Sequence, residues 1–119
     1  MVDYLTPIVL VTLKNPLHPN RRAQVDGLVD TGSDVSAIPM DAIRKLGLKD
    51  QGQITLTGID GIRTSFKRYV VDFELAGMQL ERRAVIGWSG QMAVMGRDLL
   101  SEFAFFYDGK NHKLELRDP

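Results

Sequence analysis

The chain has 119 residues, 44% of them hydrophobic and 25% charged, with 15 Lys+Arg balanced by 15 Asp+Glu. That length fits one domain, 1–119, with a single modest core, and the composition excludes a disordered chain. Zero net charge points away from nucleic acid or acidic lipid as a partner, and the absence of cysteine removes disulfides, thiolate zinc sites and a cysteine nucleophile.

Met1-Val2-Asp3-Tyr4 lacks the basic region of a targeting leader. The apolar run Ile8–Leu13 reads as a strand and is too short to span a bilayer, so a cytoplasmic chain with no membrane partner is expected. Asn15–Asn20 carries two prolines and two asparagines and reads as a turn. Arg22–Val29 alternates as a strand, and Asp30-Thr31-Gly32-Ser33-Asp34 stops it. Val35–Ile38 is a short apolar run.

Pro39–Leu46 predicts a short helix, with Pro39 at its first position and Gly47 as its stop. Gln53–Gly58 and Ile62–Ala76 read as two arms of a hairpin around Gly58-Ile59-Asp60-Gly61. In the second arm Tyr69, Val71, Phe73 and Leu75 alternate against Arg68, Asp72 and Glu74. Met78–Ile86 follows Gly77 as another strand. The run Met92–Met95 leads through Gly96 into a predicted helix, Arg97–Phe103. Phe105–Leu116 reads as a hairpin across Asp108–Asn111. The sum is a mainly β domain of seven or eight short strands and two short helices.

Two segments carry chemistry. Leu28-Val29-Asp30-Thr31-Gly32-Ser33 delivers one aspartate from an apolar strand into a tight loop. Gly32 offers backbone freedom and close approach, and Thr31 and Ser33 offer hydrogen bonds to a neighbouring carboxylate. In Ala93-Val94-Met95-Gly96-Arg97-Asp98-Leu99-Leu100, the glycine lets an apolar strand pass close to the aspartate loop.

Val29-Asp30-Thr31-Gly32-Ser33, then Val94-Met95-Gly96-Arg97-Asp98-Leu99-Leu100, with Gly58-Ile59-Asp60-Gly61 between them, resembles the single-lobe, retropepsin-like aspartic proteases. The resemblance runs from about Ile8 to Leu116. It implies a closed β-barrel of the acid-protease type with one or two short helices and one lobe per chain. It implies an aspartic endopeptidase that needs no cofactor and no metal, acting on peptide or protein substrates. Asp30 is the implied catalytic residue, with a hairpin flap over the cleft.

Only one Asp-Thr-Gly occurs, so the resemblance also implies a homodimer in which two Asp30 side chains meet. Thr31 would brace the two loops, Ser33 would hydrogen-bond the outer oxygen of Asp30, and Gly32 would accept substrate backbone. Asp34 and Arg97 match a supporting ion pair. Asp34, Ile59, Gly61, Met92 and Val94 would line the substrate cleft. The helix at Pro39–Leu46 departs from the smallest retroviral members, and the flap tip, Ile59 with the charged Asp60, lacks the tyrosine of two-lobed pepsins.

On residues alone, Ile59, Met92 and Val94 read equally well as core, Trp88 as packing, and Arg82-Arg83 as an exposed strand face. His18 and His112 read as solvated turn residues. Nucleotide-binding glycine loops are missing. The alternative to an enzyme is a peptide-binding or dimerisation module on the same fold.

Overall fold

The computed structural model describes residues 8–102, 104–108 and 113–117. Nine strands and two helices follow in order among them: β1 (Ile8–Lys14), β2 (Arg22–Val29), β3 (Ala37–Pro39), α1 (Met40–Leu46), β4 (Gln53–Thr57), β5 (Arg63–Leu75), β6 (Met78–Trp88), β7 (Ala93–Met95), α2 (Arg97–Leu100), β8 (Ala104–Asp108) and β9 (Lys113–Arg117). The first seven pair in the order β1-β2-β7-β3-β6-β5-β4, and β1 also pairs with β5. That extra pairing, Thr12↔Glu74 to Lys14↔Asp72, closes six strands into a mixed barrel. β8 and β9 form a separate antiparallel pair.

Alternation explains the barrel wall. Tyr69, Val71, Phe73 and Leu75 of β5 face inward, and Val11, Leu13, Val29, Leu80, Val85 and Met95 meet them in one core. Phe73 is 1% exposed and is the largest of the fully buried side chains. Truncating it would cost roughly 3–5 kcal/mol in lost transfer energy and cavity.

α1 covers one side of the barrel with Ala42, Ile43 and Leu46. It lies so close to β6 that a Cβ at Gly87 would overlap Met40 Sδ and sit 2.7 Å from Ile43 Cδ1. Gly47 ends α1 in the left-handed region at φ 68°, and its N–H donates to the Arg44 carbonyl at 3.1 Å. Pro39 differs from the sequence expectation. It is extended (φ −60°, ψ 139°), closes β3 and precedes the helix instead of opening it. Its missing N–H suits either position, so the residue type alone does not separate them.

β4 pairs only with the first half of β5, Gln53↔Lys67 to Thr57↔Arg63, while Arg68 onward pairs with β6. The hairpin therefore projects beyond the barrel. Its tip is built from local bonds: Gly58 N–H to Ile62 O (2.9 Å), Gly61 N–H to Gly58 O (3.0 Å) and Ile62 N–H to Asp60 Oδ1 (3.0 Å). Asp60 thus serves as turn chemistry, and Gly61, at φ 81°, takes the position that a side chain would strain.

α2 is shorter than the predicted helix. It spans Arg97–Leu100 and buries Leu99 and Leu100; Phe103 and residues 109–112, where the sequence reading set the turn of the last hairpin, lie outside the described residues. Among the described residues no helix is long and apolar enough to cross a membrane.

Candidate active site

β2 is an internal strand, paired antiparallel with β1 and parallel with β7. The parallel register sets Leu28 beside Val94 and Val29 beside Met95. One residue later the Asp30 N–H donates to the Met95 carbonyl at 3.0 Å, so the ladder still holds Asp30 as the chain turns away. Its carboxylate accepts the Gly32 N–H at 3.0 Å, and its carbonyl accepts the Ser33 N–H at 3.2 Å. The side chain is half-buried and fixed from behind by its own loop. A carboxylate held this way can act as a base or an acid at a constant position.

Gly32 lies outside the left-handed region, so backbone freedom is not why glycine stands there. A Cβ there would sit 3.3 Å from Asp30 Oδ1, so a side chain at this position would press on the carboxylate by a few tenths of an ångström. Ser33 also differs from expectation. Its hydroxyl donates to the Val35 carbonyl at 2.8 Å, not to Asp30. A hydroxyl has one proton to give, and the turn brings Val35 O to it first. Thr31 is exposed and follows Asp30 in the loop.

Asp34 and Arg97 form the expected ion pair, through Arg97 Nη2 and Asp34 Oδ1, with both side chains mostly exposed. The Arg97 N–H donates to Ser33 O at 2.8 Å, so backbone as well as side chain ties α2 to the aspartate loop. Gly96 makes the approach possible. A Cβ there would lie 2.7 Å from Ser33 O and 3.0 Å from Val35 O, backbone atoms that cannot move aside.

Two further residues belong to this lock and were not singled out by the sequence reading. Ser36 is fully buried. Its Oγ donates to Asp98 Oδ1 at 2.6 Å and accepts the Gly96 N–H at 2.9 Å, while its N–H donates to Asp98 Oδ2 at 3.1 Å. Asp98 also accepts the Leu99 N–H at 2.9 Å. Aspartate in the first helical turn, 62 residues from a serine, gave a weak signal: it reads as ordinary helix-terminus chemistry.

The remaining candidates divide. Met92 and Val94 are half-buried; Val94 pairs with Leu28, two residues before Asp30, and Met92 immediately precedes β7. Ile59 and Gly61 sit at the exposed hairpin tip, and the Ile59 side chain touches nothing in its own chain's core. Arg82 is exposed, as expected; Arg83 is half-buried and pairs with Glu102 at 2.7 Å. No group of three His, Cys, Asp or Glu side chains able to hold a metal occurs among the described residues.

Comparison with known proteins agrees with this architecture. The family model described as aspartyl protease matches residues 17–98, about two thirds of the chain. The EIAV protease complexed with the inhibitor HBY-793 superposes with a TM-score of 0.57 at 17% identity, over 81% of this chain and 86% of that one. The solution structure of the Simian Foamy Virus (mac) protease gives 0.59 at 12% identity, over 80% and 92%. No curated protein sequence matches. With its Asp-Thr-Gly loop braced by β7 and α2, this chain belongs to the aspartyl protease family, an aspartic-type peptidase with the single-lobe, retropepsin-like fold.

Proposed function

We propose that residues 1–119 form one half of a homodimeric endopeptidase, with Asp30 of each protomer supplying one carboxylate to a shared dyad. One observation carries this reading: the chain presents a single rigid Asp-Thr-Gly loop, and amide hydrolysis by this chemistry needs two carboxylates. One must take a proton from water while the other, protonated, polarises the scissile carbonyl. Two carboxylates about 3 Å apart at an effective dielectric of about 20 repel by roughly 5 kcal/mol, so the pair holds one proton over a wide pH range, as aspartic protease dyads do. A second identical loop related by a two-fold axis supplies the partner.

The supporting roles follow from placement. Thr31, exposed in the same loop, would brace the opposite loop. Gly32 leaves room for substrate backbone. The hairpin tip with Ile59 and Gly61 would close over an extended peptide, with Met92 and Val94 as apolar walls. Asp34, held by Arg97, would border the cleft. The reaction needs no metal or cofactor.

A peptide-library digest from about pH 3 to 8, wild type beside Asp30→Asn, tests the proposal. Cleavage by wild type alone is expected. Equal cleavage by both proteins overturns it. A non-catalytic peptide-binding module would bind and cut nothing.

A further inference from the structure

Resting on the proteolytic reading above, we infer that Trp88 is a positioning residue for the substrate cleft, clamping the loop that carries Met92. Trp88 ends β6, and its indole N–H donates to the Met92 carbonyl at 2.8 Å. This bond closes Ser89-Gly90-Gln91 into a tight arch. Gly90 lies directly against the ring: a Cβ there would overlap the indole Cη2 and Cζ2 and sit 2.5 Å from Cε2. The clamp therefore has two parts, a hydrogen bond at the ring edge and a contact that only glycine permits.

Its base is rigid. Trp88 pairs with Pro39 across the β3–β6 ladder, and the preceding residue, Gly87, is pressed under α1. Its other end leads straight into β7, whose Val94 sits beside Leu28 and whose Met95 carbonyl holds Asp30. A shift of the arch moves Met92 first. Packing does not require the exposure seen: Trp88 is 38% exposed, so a large apolar surface stays open next to the Met92 wall. An apolar side chain of an extended substrate, seated on Met92, meets a wall whose position the indole sets. Ser89 and Gly90 supply no apolar contact of their own, so the selectivity of this wall rests on Met92 and the ring.

Trp88 is the chain's one tryptophan, so intrinsic fluorescence reports on it alone. The test titrates the Asp30→Asn protein with two end-labelled decapeptides, identical except for Phe-Leu or Ser-Asn at the centre. Binding is read by label anisotropy and by Trp88 emission. The Phe-Leu peptide is expected to bind saturably with a blue shift of Trp88, and at least about ten-fold tighter than its Ser-Asn counterpart. In the active background, Gly90→Ala and the milder Trp88→Phe, which loses the N–H donor and part of the ring surface facing Gly90, are expected to raise KM for the Phe-Leu peptide by about ten-fold and about three-fold. Both should leave kcat within about two-fold and the pH profile unmoved. Saturable Phe-Leu binding without any change in Trp88 emission overturns the assignment. So does an unchanged KM in Gly90→Ala, or no saturable binding of either peptide. Binding with the blue shift, but no cleavage by wild type at any pH, leaves the clamp standing and removes the protease reading instead.

Discussion

Ser36 and Asp98 stand 62 positions apart, yet they share two hydrogen bonds, Oγ to Oδ1 at 2.6 Å and N–H to Oδ2 at 3.1 Å. With the Gly96 N–H donated to the same Ser36 Oγ, they fasten α2 to the strand that follows the aspartate loop. Ser36→Ala removes the hydroxyl and leaves a buried Gly96 N–H without its acceptor. A stability loss of about 1–3 kcal/mol is expected by urea unfolding. Activity at 25 °C should fall with it, because the loop that presents Asp30 hangs from this lock. A loss below about 0.5 kcal/mol would show that the lock contributes little.

Gly96→Ala acts on the same lock by contact. The new methyl would press on Ser33 O and Val35 O, and neither backbone atom has room to retreat. Overpacking of this kind costs about 1–3 kcal/mol or more. The variant is expected to lose more activity than stability, since the displaced atoms belong to the Asp30 loop. Thermal melts beside cleavage rates on the same preparation check this.

The Asp34–Arg97 pair is mostly exposed, so its effect on protomer stability should be small, within about 1 kcal/mol for Arg97→Ala. Its position at the aspartate loop sets a different expectation for function. If two such loops meet in a dimer, loss of the pair weakens assembly, and activity lost at low protein concentration should return as concentration rises. A concentration-independent loss would place the effect within the protomer.

Glu74 titrates below the ordinary carboxylate range, chiefly because Lys14 hydrogen-bonds and attracts it at 2.5 Å, with Arg22 adding a weaker pull. A lowered folded value means that the contribution is present above the unfolded pKa, near 4.5, and is lost as pH falls through the folded one. Glu74→Gln should therefore melt slightly below wild type near pH 7. The difference should close under acid conditions and shrink with salt. The pair spans β1 and β5, so it reports on the seam that closes the barrel.

Ile59 has no packing role in its own chain, being fully exposed at the flap tip. Ile59→Ala is expected to leave the melting temperature within the range of a neutral surface change, about 0.5 kcal/mol, while raising KM for peptide substrates. An unchanged KM would remove Ile59 from the cleft.

Much of this was legible in the sequence because short-range patterns dictate it. Arg22–Val29 alternates before a run of small polar residues, and the strand ends there. Tyr69 to Leu75 alternates and lines the core. Gly47 stops α1 where only a left-handed residue fits. The three-residue strands β3 and β7 were visible only as apolar runs, since their identity comes from pairing with β6 and β2. Barrel closure by β1 and β5, the Ser36–Asp98 lock and the Ser33 bond to Val35 depend on contacts that periodicity does not encode. The resemblance assigned Ser33 to Asp30; its hydroxyl instead donates to the carbonyl of Val35, two residues on.

Subunit mixing tests the shared dyad most directly. Wild type is incubated with a nine-fold excess of Asp30→Asn protein under conditions that permit exchange, and cleavage is followed per wild-type molecule. If each active site needs an Asp30 from both protomers, activity should drop to about one tenth, since most wild-type chains then pair with an inert partner. Undiminished activity after demonstrated exchange would contradict the account, because a single carboxylate would then suffice.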